Sequence, residues 1–209
     1  MLSWIFFDVG STLVDETLTY QRFANECSMT LREYGKKVTA ADFFAKMQEL
    51  AALGEPPIRN AWAWYGLPSN IRPHWNYEGE TLYPDVDRVL DYLAQSYRLG
   101  IIANQNRGLE QRLESFGIRH FFNLIVCSEE VGYQKPNRAL FDYTLRQVKS
   151  PAGDCLYIGD RMDNDILPAK RVGMRTVHVL QGIGPHHCQQ AGITADFTVQ
   201  CLSDLMKLF

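Results

Sequence analysis

The sequence predicts an α/β fold: a Rossmann-like parallel sheet with helices on both faces and a small all-helical domain inserted into it. Short apolar runs without polar alternation, such as Trp4-Ile5-Phe6-Phe7 and Cys155-Leu156-Tyr157-Ile158, read as strands buried on both faces of a parallel sheet. From Leu82 onward such runs alternate with segments of helical period. Repeated strand–helix units with right-handed crossovers build a sheet covered on both sides. Both quoted runs end in an aspartate, Asp8 directly and Asp160 after Gly159, at the strand ends where open α/β sheets place their ligands.

Taken in order, the first strand runs through Asp8 into the turn Val9-Gly10-Ser11-Thr12-Leu13. Tyr20, Phe23, Ala24, Cys27, Leu31 and Tyr34 then fall at helical spacing, and Gly35 stops the run. Thr39-Ala40-Ala41-Asp42 has the capping-box pattern, and Phe43, Met47, Leu50 and Ala51 continue one helical face. An aromatic-rich stretch follows, with Trp62, Trp64, Tyr65, Trp75 and Tyr77 broken by Pro56-Pro57, Pro68 and Pro73. Residues 16–81 therefore read as a small helical insert with no strand of its own, between core segments 1–15 and 82–209. Pro84-Asp85 starts a helix whose face is Val86, Val89, Leu90, Leu93 and Tyr97. Strands are expected over 99–103, 124–127, 155–158, 176–180 and 197–199. The helices between them carry Leu109, Leu113 and Phe116 up to Gly117, then span 138–148 and roughly 166–172, and a last helix closes the chain.

A chain of 209 residues holds one full domain and a smaller insert, and 46% hydrophobic with 22% charged residues is ordinary for a soluble globular protein. A net charge of -3 without a Lys/Arg run gives no reason to expect nucleic acid or an acidic membrane as partner. The first apolar stretch is short and runs into Asp8, so neither a signal peptide nor a bilayer span is expected. The five cysteines, Cys27, Cys127, Cys155, Cys188 and Cys201, are odd in number and never spaced as CxxC. That suits reduced thiols and a cytoplasmic location. His186-His187-Cys188 lacks a second spaced set of ligands and reads as a loop rather than a metal site.

Four stations recur at strand ends: Asp8, Ala103-Asn104, Lys135-Pro136 and Asp160 with Asp163 and Asp165 behind it. Each has an ordinary alternative. Asp8 could cap the next helix, Lys135 could be a surface lysine, and Asp163 and Asp165 could be helix N-terminal acids. All four together at the strand ends point instead to a cation and phosphate site. With the segments FFDVGSTLVD, QKPNRALF and IGDRMDNDILPAKRVGM, the chain resembles the haloacid dehalogenase-like (HAD) hydrolase superfamily over essentially its whole length. The insert looks like the helical cap that many members carry after the first strand.

The resemblance implies a Mg2+-dependent phosphohydrolase acting on a small phosphorylated metabolite. Asp8 is the implied nucleophile, since a carboxylate attacking phosphorus forms an aspartyl-phosphate and splits one hard step into two. Asp8 and Asp160 would supply carboxylates to Mg2+, with the backbone carbonyl of Gly10 as third protein ligand. Lys135 would face phosphate oxygens and the nucleophile, and hold Asp8 ionised by lowering its pKa. Asp165 looks like the group that orients Lys135 or a metal-bound water. Ala103 and Asn104 occupy the phosphate-binding station. Arg59, Arg72 and His74 in the insert are expected to select the substrate, whereas its tryptophans are expected to form the insert's own core.

Two positions depart from the family pattern. The second aspartate, two residues after the nucleophile, is Gly10, and the usual Ser or Thr before Asn104 is Ala103. A general acid–base group is typically worth ~10²–10⁴-fold, so slow turnover on alkyl phosphates is expected. A binding protein that has lost catalytic power is the alternative. The dehalogenase branch keeps no GD…D metal site; the phosphonate-cleaving branch needs a cap lysine, and Lys36, Lys37 and Lys46 in the insert read as solvated helix-surface lysines, so both are set aside. Gly10 either marks only a missing acid, or answers a close approach of substrate or cap or a positive φ, and the second account is favoured.

Overall fold

In the computed structural model, which describes residues 1–183 and 194–209, the apolar runs pair into one six-stranded sheet, every pairing parallel. Its order is β5 (Phe122–Cys127), β4 (Arg98–Ala103), β1 (Trp4–Phe7), β6 (Cys155–Gly159), β7 (Arg175–Val179) and β8 (Phe197–Val199). The chain winds outward from β1 in one direction and then, from β6, in the other. The switch point therefore lies between β1 and β6, and the crevice at their carboxyl ends is the natural ligand site.

Side chains alternate across the sheet with period two, which explains why both faces are apolar. Ile5 and Phe7 pack under α4 (Val86–Ala94) and α5 (Leu109–Ser115), together with Leu156 and Ile158. Trp4 and Phe6 face the other way, with Cys155 and Tyr157, against α7 (Arg138–Val148) and α8 (Leu167–Arg171). Gly100, in the middle of β4, is required by a close approach: a Cβ there would lie 2.6 Å from the Phe6 ring and 3.1 Å from the Leu124 carbonyl oxygen.

The insert has a separate apolar cluster. The helices α1 (Thr17–Glu33), α2 (Ala40–Ala52) and α3 (Pro57–Trp64) enclose Phe23, Cys27, Leu31, Phe43, Met47 and Trp62. The capping box is formed: the Asp42 N–H donates to Thr39 Oγ1 (3.1 Å) and the Thr39 N–H donates to the Asp42 carboxylate (2.9 Å). The Trp62 indole N–H donates to the Pro68 carbonyl (3.0 Å), and Trp75 packs edge-on to Tyr20, so both belong to the insert's core. Trp64 does not: it is 69% exposed, with the Lys46 ammonium 4.1 Å from its ring centroid.

Local departures from the expected elements are small. The two chain passages between sheet and insert run side by side and satisfy each other's backbone as an antiparallel pair, β2 (Val14–Asp15) with β3 (Thr81–Leu82). The insert range 16–81 thus contains one strand residue, Thr81. A π-helical turn, Met162–Ile166, precedes α8, so helix begins four residues ahead of the expected start. The last segment, Leu202–Lys207, is a 3-10 helix, and a short α6 (Ser128–Val131) follows β5. Cys27, Cys127, Cys155 and Cys201 are free thiols, and no described helix is long and apolar enough to cross a membrane. His186-His187-Cys188 lies outside the described residues.

Candidate active site

Because β1 and β6 are neighbours with Phe7 opposite Ile158, the residues that follow them emerge side by side. The Asp8 N–H is bound by the Ile158 carbonyl (2.9 Å), and the chain then turns back so that the N–H groups of Leu13 and Val14 both reach the Val9 carbonyl (2.9 Å each). Lys135 enters from the connection between α6 and α7 with its side chain fully buried. Its ammonium lies 2.8 Å from Asp8, 2.6 Å from Asp165 and 2.9 Å from the Tyr157 hydroxyl, which donates to the Ile102 carbonyl (2.8 Å). Asn104 clamps the lysine's backbone, donating to the Lys135 carbonyl (2.9 Å) and accepting from its N–H (2.7 Å). Asp165 also accepts from the Arg161 N–H (3.0 Å), and the His178 ring is 2.7 Å from the Asp160 carbonyl oxygen.

These groups open on a cavity of about 820 Å³. Asp8, Gly10, Asn104, Lys135 and Asp160 line it from the sheet side, and Arg59, Pro56 and Tyr20 from the insert. Three of the expected residues do not line this cavity. Ala103 is fully buried beneath the wall, so of its station only Asn104 meets the cavity, and the Gln105 N–H beside it is taken by Ser128. Arg72 and His74 are not among the residues that line this cavity. Arg161 and Arg171, placed by the π turn and α8, are the arginines that join Arg59 there.

A model of the haloacid dehalogenase-like hydrolase family matches residues 5–179. The chain belongs to the haloacid dehalogenase-like hydrolases. It is 31% identical to the pyrimidine 5'-nucleotidase YjjG of Escherichia coli, covering 98% of this chain and 96% of that protein. It is 28% identical to the glyceraldehyde 3-phosphate phosphatase of Pyrococcus abyssi, covering 100% and 94%. Among solved structures, the haloacid dehalogenase-like family protein SP0104 of Streptococcus pneumoniae superposes with a TM-score of 0.75 at 20% identity, covering 100% of this chain and 98% of that one.

The charge balance of this HAD-like site calls for a cation. Asp8, Asp160 and Asp165 bring carboxylate oxygens within 4.8 Å of one another, and Lys135 pairs with two of them, Asp8 and Asp165. Burial pushes Asp160 well above the usual carboxylate range, and the charges of Asp165 and Asp8 push the same way. Burial also raises Asp8, to about 6, against the downward pull of Lys135. The expectation that Lys135 sets the direction for Asp8 is thus corrected: desolvation outweighs the nearby cation. An all-oxygen, carboxylate-rich donor set suits a hard divalent cation such as Mg2+.

Sequence reasoning missed Tyr157, read as an apolar strand residue, and above all Glu16. Glu16 occupies the N-cap position of α1, yet its side chain caps nothing, and the Thr17 N–H is taken by Asp15 (2.8 Å). The carboxyl group turns into the cavity instead, 8% exposed, and accepts from the Ser11 hydroxyl (3.0 Å). Burial and then the charge of Glu80 push it up to about 8. The signal was available: an acid stands a few residues beyond a glycine that replaces an acid. Its significance depended on how the turn folds back.

Proposed function

We propose that this hydrolase is a Mg2+-dependent phosphatase that cleaves a small phosphorylated metabolite through an aspartyl-phosphate on Asp8. The observation that carries the reading is the Lys135 ammonium held between Asp8 and Asp165 at the floor of the cavity, beside Asp160. The relatives named above, a nucleotidase and a triose-phosphate phosphatase, support a small phosphorylated substrate. A cavity of about 820 Å³ is of the size that holds one. We also assign residues 16–81 as a cap over the core, because Tyr20, Pro56 and Arg59 line the same cavity as Asp8; closing it excludes water during transfer.

Asp8, Asp160 and the Gly10 carbonyl would hold Mg2+, which when bound supplies positive charge against the phosphate oxygens. The remaining work falls to the chain. Asp8 attacks phosphorus opposite the leaving oxygen. Lys135 draws the phosphoryl oxygens toward Asp8, and Asp165, Tyr157 and Asn104 fix its head and backbone so that the attack starts from one geometry. Arg59, Arg161 and Arg171 favour an anionic or polar remainder of the substrate. Turnover of p-nitrophenyl phosphate in Mg2+, its loss in EDTA and its loss in Asp8→Asn test the reading. Undiminished activity in EDTA would contradict it. Vanadate binding without turnover of any phosphate ester would favour the binding-protein alternative.

A further inference from the structure

We propose that Glu16 is the acid–base residue of this reaction, its carboxyl group reaching from the start of α1 into the volume that a side chain at position 10 would occupy. The proposal rests on the phosphatase reading above and deepens it. Three independent observations carry it. A Cβ built on Gly10 would lie 2.6 Å from both carboxyl oxygens of Glu16, so this carboxyl takes the place of an acid two residues after the nucleophile. Gly10 does not have a positive φ, so backbone strain is not the reason for the glycine. The close approach is real, and it comes from Glu16, the first residue of the insert. Finally, the carboxyl lines the cavity that Asp8 lines, and is bound there by a hydroxyl rather than a cation. Arg112 pairs instead with Glu80 (3.2 Å).

The role follows from that place. In the first step the bond from Asp8 to phosphorus forms while the bond from phosphorus to the leaving oxygen breaks, and the Glu16 carboxyl gives its proton to that oxygen. In the second step water attacks phosphorus, its proton passes to the Glu16 carboxylate, and the bond to Asp8 breaks. Phosphate leaves, Asp8 is again a carboxylate and Glu16 again carries its proton. One carboxyl thus serves both half-reactions. The slow turnover on alkyl phosphates expected from Gly10 then no longer follows, because the acid has moved rather than vanished.

Glu16→Gln tests this with p-nitrophenyl phosphate and an alkyl phosphate in Mg2+. The nitrophenolate leaves without an acid, but water attack still needs the base. The variant should therefore release one equivalent of nitrophenol in a burst, then turn over roughly 10²–10⁴-fold more slowly, with phosphate accumulating on Asp8. The alkyl phosphate should show the same loss and no burst. Steady-state rates within about threefold of wild type on both substrates would overturn the proposal. A residue that merely shaped the hinge would give no burst. Should Glu16→Gln fail to fold, Glu16→Ala combined with Gly10→Asp decides: restoring the carboxyl from position 10 should raise alkyl turnover at least about tenfold over Glu16→Ala alone, and no gain overturns the proposal. Wild-type protein that neither hydrolyses the aryl ester nor is labelled at Asp8 would instead show that the phosphatase reading fails, and this inference with it.

Discussion

Lys135 and Asp165 form an ion pair in which neither side chain is exposed, with Nζ 2.6 Å from Oδ1. Burial alone would draw the proton off the ammonium; Asp165 and then Asp8 outweigh it and hold Lys135 above its ordinary range. Removing one member of a buried pair leaves the other uncompensated, at a cost of about 3–5 kcal/mol. Lys135→Met should lose stability of that order in urea denaturation without Mg2+. Tyr157→Phe, which deletes only the hydroxyl accepting from Nζ, should lose about 1–2 kcal/mol. A Lys135→Met protein as stable as wild type would show that the pair does not hold the site together.

The surplus of carboxylates beside that pair predicts a stability response to metal. Mg2+ at a hundred times its dissociation constant would stabilise the fold by about 2.7 kcal/mol. Asp160→Asn removes a buried charge repelled by Asp165 and Asp8, so in EDTA it should melt no lower than wild type, and its melting temperature should ignore Mg2+. Equal Mg2+ shifts in both proteins would place the cation elsewhere.

Glu16 gives a pH signature. Its folded pKa, about 8, lies above the ordinary carboxylate value, so between the two the folded state keeps a proton that the unfolded chain has lost. Stability from this group therefore falls as pH rises from the ordinary carboxylate range to about 8, then levels. Glu16→Gln removes that slope, so in EDTA its stability relative to wild type should improve across this window. Parallel pH curves for the two proteins would mean that Glu16 ionises as it does in water.

Much of the fold was legible because its signals are local. The unbroken apolar runs of β1 and β6, the helical face of α4 and the Thr39–Asp42 capping box are each written within a few residues. So was the meeting of Asp8, Lys135, Asp160 and Asp165, since strand ends in such a sheet converge. What stayed hidden depends on side chains meeting across the fold. The turn after Asp8 brings Glu16 over Gly10, Asn104 is committed to the Lys135 backbone, and burial wins over Lys135 in setting the Asp8 carboxyl. None of these follows from spacing along the chain.

Gly100 offers a test of the core that is independent of chemistry. A methyl group there meets the Phe6 ring and the Leu124 carbonyl, and neither can move without disturbing β1 or β5. Gly100→Ala should cost about 1–3 kcal/mol through overpacking. A combined Gly100→Ala and Phe6→Leu protein should recover part of that loss. A neutral Gly100→Ala would mean that the ring has room to shift.

The central claim is that phosphate passes through Asp8. Rapid acid quench of the protein turning over an aryl phosphate in Mg2+, followed by peptide mass analysis, tests it most directly. One phosphoryl group on the peptide that contains Asp8, absent in Asp8→Asn and enriched in Glu16→Gln, is the predicted result. A fully active Asp8→Asn protein, or turnover with no phosphoryl group on that peptide even in Glu16→Gln, would contradict it.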